Sequence, residues 1–545
     1  MSYSFQNIPT IDIQRSRFDR PHLVHTTFNA GDLVPIYVDE VIPGDTFNVD
    51  TNFVVRTQTP IFPVLDEAYI NVHFFFVPMR LTWEHTAEFF GENNTSHWEN
   101  PIAYQIPQIT APSTGWDAGT LADYMGIPTK IPNISVSALP FRAVAKIYND
   151  WYRDQNLKDP CHLNLDDATV TGSNGDNYII DVERGGMPPK IAKTHDYFTS
   201  ALPQPQKGPD VLMPLGDMAP VVTGPDTPYA SLESTEPMRL IGTTGIRPPN
   251  GTLAHTFFDH TGKMSYSSAG GSTPAAGVLP TNLYANLSNS AGAVTINQLR
   301  QSVQVQKFLE RQSRGGTRYI EIIHSHFNVQ SPDGRLQRSE FLGGKAVPLA
   351  VNEVVQTSAT SGATPLGQTG AFSHTYDSDS SFTKSFTEHG FIIGLASVRT
   401  NHVYQQGIER FWSRKDLYDF YFPEFAHLGE QAILNKEIYA QGNATDDEAF
   451  GYQEAWAEYR YKPSRVSGEM RSNHPTPLDS WHYADFYTSQ PFLSSEWIDE
   501  NRANIDRTLA VQSSVSNQIF GSFYFRITAS RPLPLYSDPG FLDHF

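Results

Sequence analysis

The stretch Ala68-Tyr-Ile-Asn-Val-His-Phe-Phe-Phe-Val77 constrains this chain more than any other. It is rich in β-branched and aromatic side chains, which fit a pleated sheet. It has strand length, and 72–77 is the densest apolar run in the sequence. It reads as a central core strand. Pro78, which has no amide proton for a ladder, ends it.

A central strand needs partners on both sides. Two flank the turn Pro43-Gly44-Asp45, at 33–41 and 46–55. The second alternates Phe47, Val49, Phe53 and Val55 with mostly polar residues, as a half-buried strand does. Further strands are expected at 317–329, 347–357, 390–399, 450–462 and 516–528. Helices are few: a short one at 83–90, an amphipathic one at 141–152 and another at 293–312. The segment 358–381 is rich in Ser, Thr and Gly and reads as a loop. About eight strands that do not alternate with helices disfavour a doubly wound α/β sheet. They fit a mainly β fold: an eight-stranded antiparallel jelly roll with long insertions.

Residues 203–290 differ from the rest. Proline and glycine are dense, Gly-Pro-Asp occurs at 208–210 and 224–226, and hydrophobic periodicity is weak. The segment still keeps Tyr229, Phe257, Phe258, Tyr266 and Tyr284, which disordered tracts tend to lack. It reads as one large surface insertion. The expected organisation is an arm at 1–30, a core at 31–202 and 291–545, and the insertion between the two core parts.

Chemistry is sparse. The single cysteine, Cys161, excludes a disulfide framework and any multi-cysteine metal site. No nucleotide-binding, zinc-protease or nucleophile-elbow motif occurs. His324 and His326, two apart on an expected strand, would share a face, but no third ligand is evident. No cofactor is expected, and a structural cation is left open. Asp446, Asp447, Glu448, Glu454 and Glu458 form the densest acidic group. Glu454 and Glu458 would share a strand face near Arg460, so charge pairing explains them more simply than catalysis. No segment is apolar and long enough for a membrane helix, and the N-terminal residues lack a signal-peptide pattern.

The formal net charge is −19, from 39 basic and 58 acidic residues. That argues against strong nucleic-acid binding by this chain alone. The scarce cations nevertheless cluster. Arg15 and Arg17 lie near the N-terminus, Arg410 and Arg414 flank Phe411 and Trp412, and Arg460, Lys462 and Arg465 are interleaved with Tyr459 and Tyr461. Cations beside aromatics can neutralise phosphates and stack the bases of a single strand. Salt bridges at subunit contacts are the plainer explanation. Charged residues make up only 18% of the chain, against about 25% in a typical soluble domain, which fits a surface largely given to interfaces.

Two long blocks carry a family likeness. They are Glu409-Arg-Phe-Trp-Ser-Arg-Lys-Asp-Leu-Tyr-Asp-Phe-Tyr-Phe-Pro-Glu-Phe-Ala-His-Leu-Gly-Glu-Gln431 and Phe450-Gly-Tyr-Gln-Glu-Ala-Trp-Ala-Glu-Tyr-Arg-Tyr-Lys-Pro-Ser-Arg-Val-Ser-Gly468. With Arg15-Ser-Arg-Phe-Asp-Arg20 and the 68–80 strand, they resemble the major capsid protein of microviruses, most closely the gokushovirus branch. The likeness spans the chain except 203–290 and parts of 355–385. It implies a non-enzymatic jelly-roll coat protein, sixty copies of which form a T=1 icosahedral shell around the circular single-stranded DNA of a bacteriophage. It implies an insertion at the threefold axes, exposed for host attachment through a cell-surface receptor. It also implies an internal scaffolding protein, a small basic DNA-packaging protein and a DNA pilot protein as partners. The virion, assembled in the bacterial cytoplasm, would be the location. The seven cations Arg15, Arg17, Arg410, Arg414, Arg460, Lys462 and Arg465 become candidates to face DNA, and the five insertion aromatics become candidates for the protrusion. The arm is expected to lie on a neighbouring subunit, because it lacks the apolar content to bury itself alone. The alternative is a secreted β-sandwich carbohydrate-binding protein or glycosidase.

Overall fold

The computed structural model describes residues 14–93, 103–209, 211, 296–357, 366–367 and 369–536, with six short strands between 221 and 285. Two compact units result: Met1–Lys207 with Arg311–Phe545, and Gly208–Glu310.

The first unit is a sandwich. Its strands are β1 (Ser16–Asp19), β2 (His22–Phe28), β3 (Val34–Val41), β4 (Thr46–Thr57), β5 (Ala68–Pro78), β6 (Glu340–Pro348), β7 (Thr375–Ser385), β8 (Gly390–Thr400) and β9 (Ile519–Arg531). One sheet has the order β6-β5-β8-β3. In the other, β1 and β2 pair with successive parts of β9, which pairs with β4, which pairs with β7. Every pairing is antiparallel. β1 and β2 form one edge position broken at Arg20 and Pro21. Counted so, eight strands take the orders 1-8-3-6 and 5-4-7-2, the connectivity of a jelly roll.

The alternation seen in the sequence sets the packing. Phe47, Val49, Phe53 and Val55 of β4 and Phe523, Phe525 and Ile527 of β9 point inward, against Ile70, Phe74 and Phe76 of β5 and Ile392 of β8. The β5–β8 sheet is buried on its other face too. There Phe75, Val77, Ile393 and Leu395 meet Leu139, Val144 and Ile147 of helix α1 (Leu139–Ile147), which continues as a π turn to Tyr152. A strand covered on both faces reads as a continuous apolar run, which is why 74–77 has no polar interruption. Gly394 sits at a bulge where an added Cβ would lie 2.8 Å from the Phe74 ring.

Several expectations change. The segment 317–329 is a helix, α3 (Tyr319–Phe327), following α2 (Ile296–Arg314). Its apolar residues Tyr319, Ile320, Ile322, Ile323 and Phe327 also satisfy a helical period, and Glu321 caps its first turn. His324 and His326 therefore point about 200° apart and cannot share a ligand. The expected loop 358–381 contributes β7 and the strand Thr369–Ser373, with 358–365 outside the described residues. β7 is Ser- and Asp-rich because it is an edge strand half open to solvent. The expected strand at 450–462 stops at Glu454. Residues 16–28, expected to cover a neighbouring subunit, run on β9 of their own chain.

Among its described residues, the second unit shows three two-stranded ladders. Phe257 and Phe258 lie on the strand His255–Phe258, Tyr266 on Met264–Ser267 and Tyr284 on Leu283–Ala285. Tyr229 lies outside the described residues.

Candidate nucleic-acid interface

Part of the connection from β8 to β9, residues 401–518, folds into a lobe with its own small core of Tyr404, Ile433, Ile438 and Phe450, joined by Tyr197 and Phe198, while its Tyr483, Ile505 and Leu509 pack into the sandwich core. Its frame is the antiparallel pair Glu430–Leu434 and Ala449–Glu454. Trp456 follows in the left-handed region at φ +66°, costly for a bulky residue, and turns the chain into the single 3-10 turn Ala457–Tyr459. The buried indole is held by its Nε1, which donates to the Phe425 carbonyl at 2.9 Å.

This turn brings the two basic blocks of the sequence together around a cleft of about 610 Å³. Six cations line it: Arg410, Arg414, Arg460, Lys462, Arg465 and Arg471. Three carboxylates face them: Glu409, Glu437 and Glu458. The local balance is thus opposite to that of the whole chain.

The cations fall into two tiers. Arg410 and Arg414 form the floor. Arg410 donates to the Ala432 carbonyl at 2.7 Å and to Glu437 at 3.1 Å. Burial raises the Glu437 carboxyl above its ordinary range, and the guanidinium of Arg410 opposes that shift. Arg414 pairs with Glu458 at 3.3 Å and stacks over the Tyr459 ring at 4.5 Å. The rim is open. Arg460 reaches Glu454 at 2.7 Å with most of its side chain exposed. Lys462 pairs with Glu409 and stands 5.4 Å from the Phe411 ring. Arg465 is exposed, and among the described residues no ion pair holds it. Arg471 donates to the Gln405 carbonyl at 2.8 Å. Exposed rings, Phe411, Trp412 and Tyr459, stand beside these cations.

Five of the seven cations singled out in the sequence therefore share one cleft. Arg15 and Arg17 do not. Arg15 bonds Thr46 Oγ1 at 2.9 Å, and Arg17 lies 3.6 Å from Asp19, both at the edge of the sandwich. Sequence reasoning missed Tyr197 and Phe198, which enter from a distant part of the chain, and Glu437, which lies between the two basic blocks; none carries a local signal. The acidic group is consumed by structure. Asp447 pairs with Lys436 at 2.5 Å, Asp446 accepts the amides of Gln441 and Gly442, and Glu454 and Glu458 bind different arginines rather than sharing a strand face. Among the described residues, no group of three or more metal-ligating side chains gathers. No described helix is long and apolar enough to cross a membrane.

The jelly roll and the length of the likeness lead to one family. The model of the phage capsid protein, F protein, matches residues 6–541. The chain belongs to the F capsid protein family. It is 45% identical to capsid protein VP1 of Spiroplasma virus 4 over 97% of this chain and 95% of that protein. It is 43% identical to VP1 of Bdellovibrio phage phiMH2K over 100% and 98%, and 38% identical to VP1 of Chlamydia phage 1 over 99% and 98%. The likeness to gokushovirus-type major capsid proteins read from the sequence is borne out, and it extends across 203–290 as well. As an F capsid protein, the chain is a structural component of a virus coat, and its cleft is a feature of a shell subunit.

Proposed function

We propose that this capsid protein self-assembles into a small T=1 icosahedral shell around a circular single-stranded DNA genome and performs no catalysis. The observation that carries the reading is a jelly roll in a chain 38–45% identical, over nearly its whole length, to three phage capsid proteins. The location would be the virion, assembled in the bacterial cytoplasm. The internal scaffolding, DNA-packaging and pilot proteins are partners by family likeness.

The rim of the cleft would face the interior. Arg460, Lys462 and Arg465 would neutralise phosphate without sequence preference. Arg410 and Arg414 would support the floor through Glu437 and Glu458. The net charge of −19 leaves most genome neutralisation to the small basic partner. The insertion, with its five aromatics, would present the host-attachment surface.

Negative-stain microscopy of the chain, expressed alone and with a scaffolding partner, tests the shell. Uniform isometric particles are expected in at least one preparation. Persistent monomers in both would overturn the reading.

A further inference from the structure

Beside the cleft, whose lining includes its Trp412 and Arg414, the segment 412–428 carries an exposed apolar face. Trp412 is 72% exposed, Leu417 65% and Tyr418 74%, with Phe420 and Tyr421 about half exposed. Folded monomers seldom leave contiguous apolar patches beyond a few hundred Å². At roughly 150–250 Å² per aromatic side chain, these half-open rings with Phe411 and Tyr459 amount to about 800 Å². That is about one partner's share of a standard protein interface.

The face is ordered by its own chain rather than left slack. Trp456 holds the Phe425 carbonyl, and Tyr421 packs edge-on against Trp456 at 5.7 Å. Arg414 lies over the rings of Phe420 and Tyr459. Asp419 accepts the amides of Lys415 and Asp416 at 2.7 and 2.9 Å. An exposed aromatic surface held in one conformation presents its area to a partner at little ordering cost.

Its charges select the partner. Arg414 and Lys415 stand among Asp416, Asp419 and Glu424, a slight acidic excess that does not favour a phosphate backbone, unlike the cleft rim. Both signs within one face suit a protein surface carrying both signs. We propose that the 412–428 face is covered by a second copy of this chain. This rests on the shell reading, which supplies copies at high local concentration.

Hydrogen exchange on the full chain, free and in assembled particles, tests it. Amides of 412–428 are expected to exchange at least tenfold more slowly in particles. A Tyr418→Cys variant carrying a thiol-attached photocrosslinker is expected to give chain–chain dimers in particles, the native Cys161 being buried. Trp412→Asp with Tyr418→Asp should lower particle yield at least tenfold while the free subunit keeps its melting temperature. Particles whose 412–428 amides exchange as fast as in the free subunit overturn the inference and leave the shell reading intact. Coupling of Tyr418→Cys only to a different protein overturns it as well. A chain that forms no particles overturns the shell reading and this inference with it.

Discussion

The imidazole of His402 donates through Nδ1 to the buried carboxylate of Asp485 at 2.9 Å. Its other nitrogen lies 3.0 Å from Glu500, itself fully buried. With a carboxylate on each side, both ring nitrogens must be donors, so the ring is an imidazolium. Burial by itself would lower its pKa, but Asp485 and Glu500 outweigh that and raise it to about 9. Asp485 is held well below the usual carboxylate range: burial opposes this, and Lys193 and His402 prevail. The stabilisation from His402 is complete below its ordinary value of 6.5 and is lost as pH rises through about 9. That from Asp485 is present above its ordinary 3.8 and is lost as pH falls through its depressed value. Urea unfolding from pH 6 to 10 should show the alkaline loss. His402→Gln should remove most of that pH dependence and cost about 3 kcal/mol, since it strands two buried carboxylates.

Gly407 passes the backbone of Glu437 so closely that an added Cβ would lie 1.9 Å from its carbonyl oxygen. Gly407→Ala should destabilise the cleft lobe by about 2 kcal/mol, as overpacking does. Proteolysis should then cut within 401–518 sooner than within the sandwich. Uniform loss of protection across both would contradict a separate response of the lobe.

Reversing Arg460, Lys462 and Arg465 together to Glu removes three of the four rim cations and leaves the Arg410–Glu437 and Arg414–Glu458 pairs intact. Shells should still form, with less DNA per particle by the ratio of absorbance at 260 and 280 nm. Unchanged packaging would rule out phosphate binding at this rim.

Deleting residues 14–28 removes the edge position formed by β1 and β2. It uncovers one side of β9, whose Phe523 and Phe525 are fully buried. Soluble yield should collapse, with the product in the pellet. A soluble, folded product would mean that these residues act as a detachable arm.

Replacing residues 203–290 with a short Gly/Ser linker should spare the sandwich and abolish adsorption to host cells. Normal adsorption by such particles would end the attachment role assigned to the insertion.

The sandwich was largely legible where one strand face is buried. β4 shows it best, with Phe47, Val49, Phe53 and Val55 in strict alternation and all inward. Edge strands were harder. β7 and β1 lie half in solvent, so Ser378, Asp379 and Arg17 look like loop or arm residues. At 319–327, Ile-rich sequence suits either period, and helix formation turns on Glu321 capping the first turn. In the cleft, the cation blocks were visible because they are contiguous. Their meeting depends on Trp456 leaving the strand at a positive φ, which no local pattern announces.

β9 lies between the β1–β2 edge and β4, although the whole of 58–518 separates it from β4 in sequence. Its sheet therefore has no continuous ladder until these distant segments meet. β5 and β6 are also neighbours despite the whole of 79–339 between them. Both pairings are long-range in sequence, which makes closure slow. The order in which the sandwich can close is thus set by its two longest connections, 79–339 and 401–518.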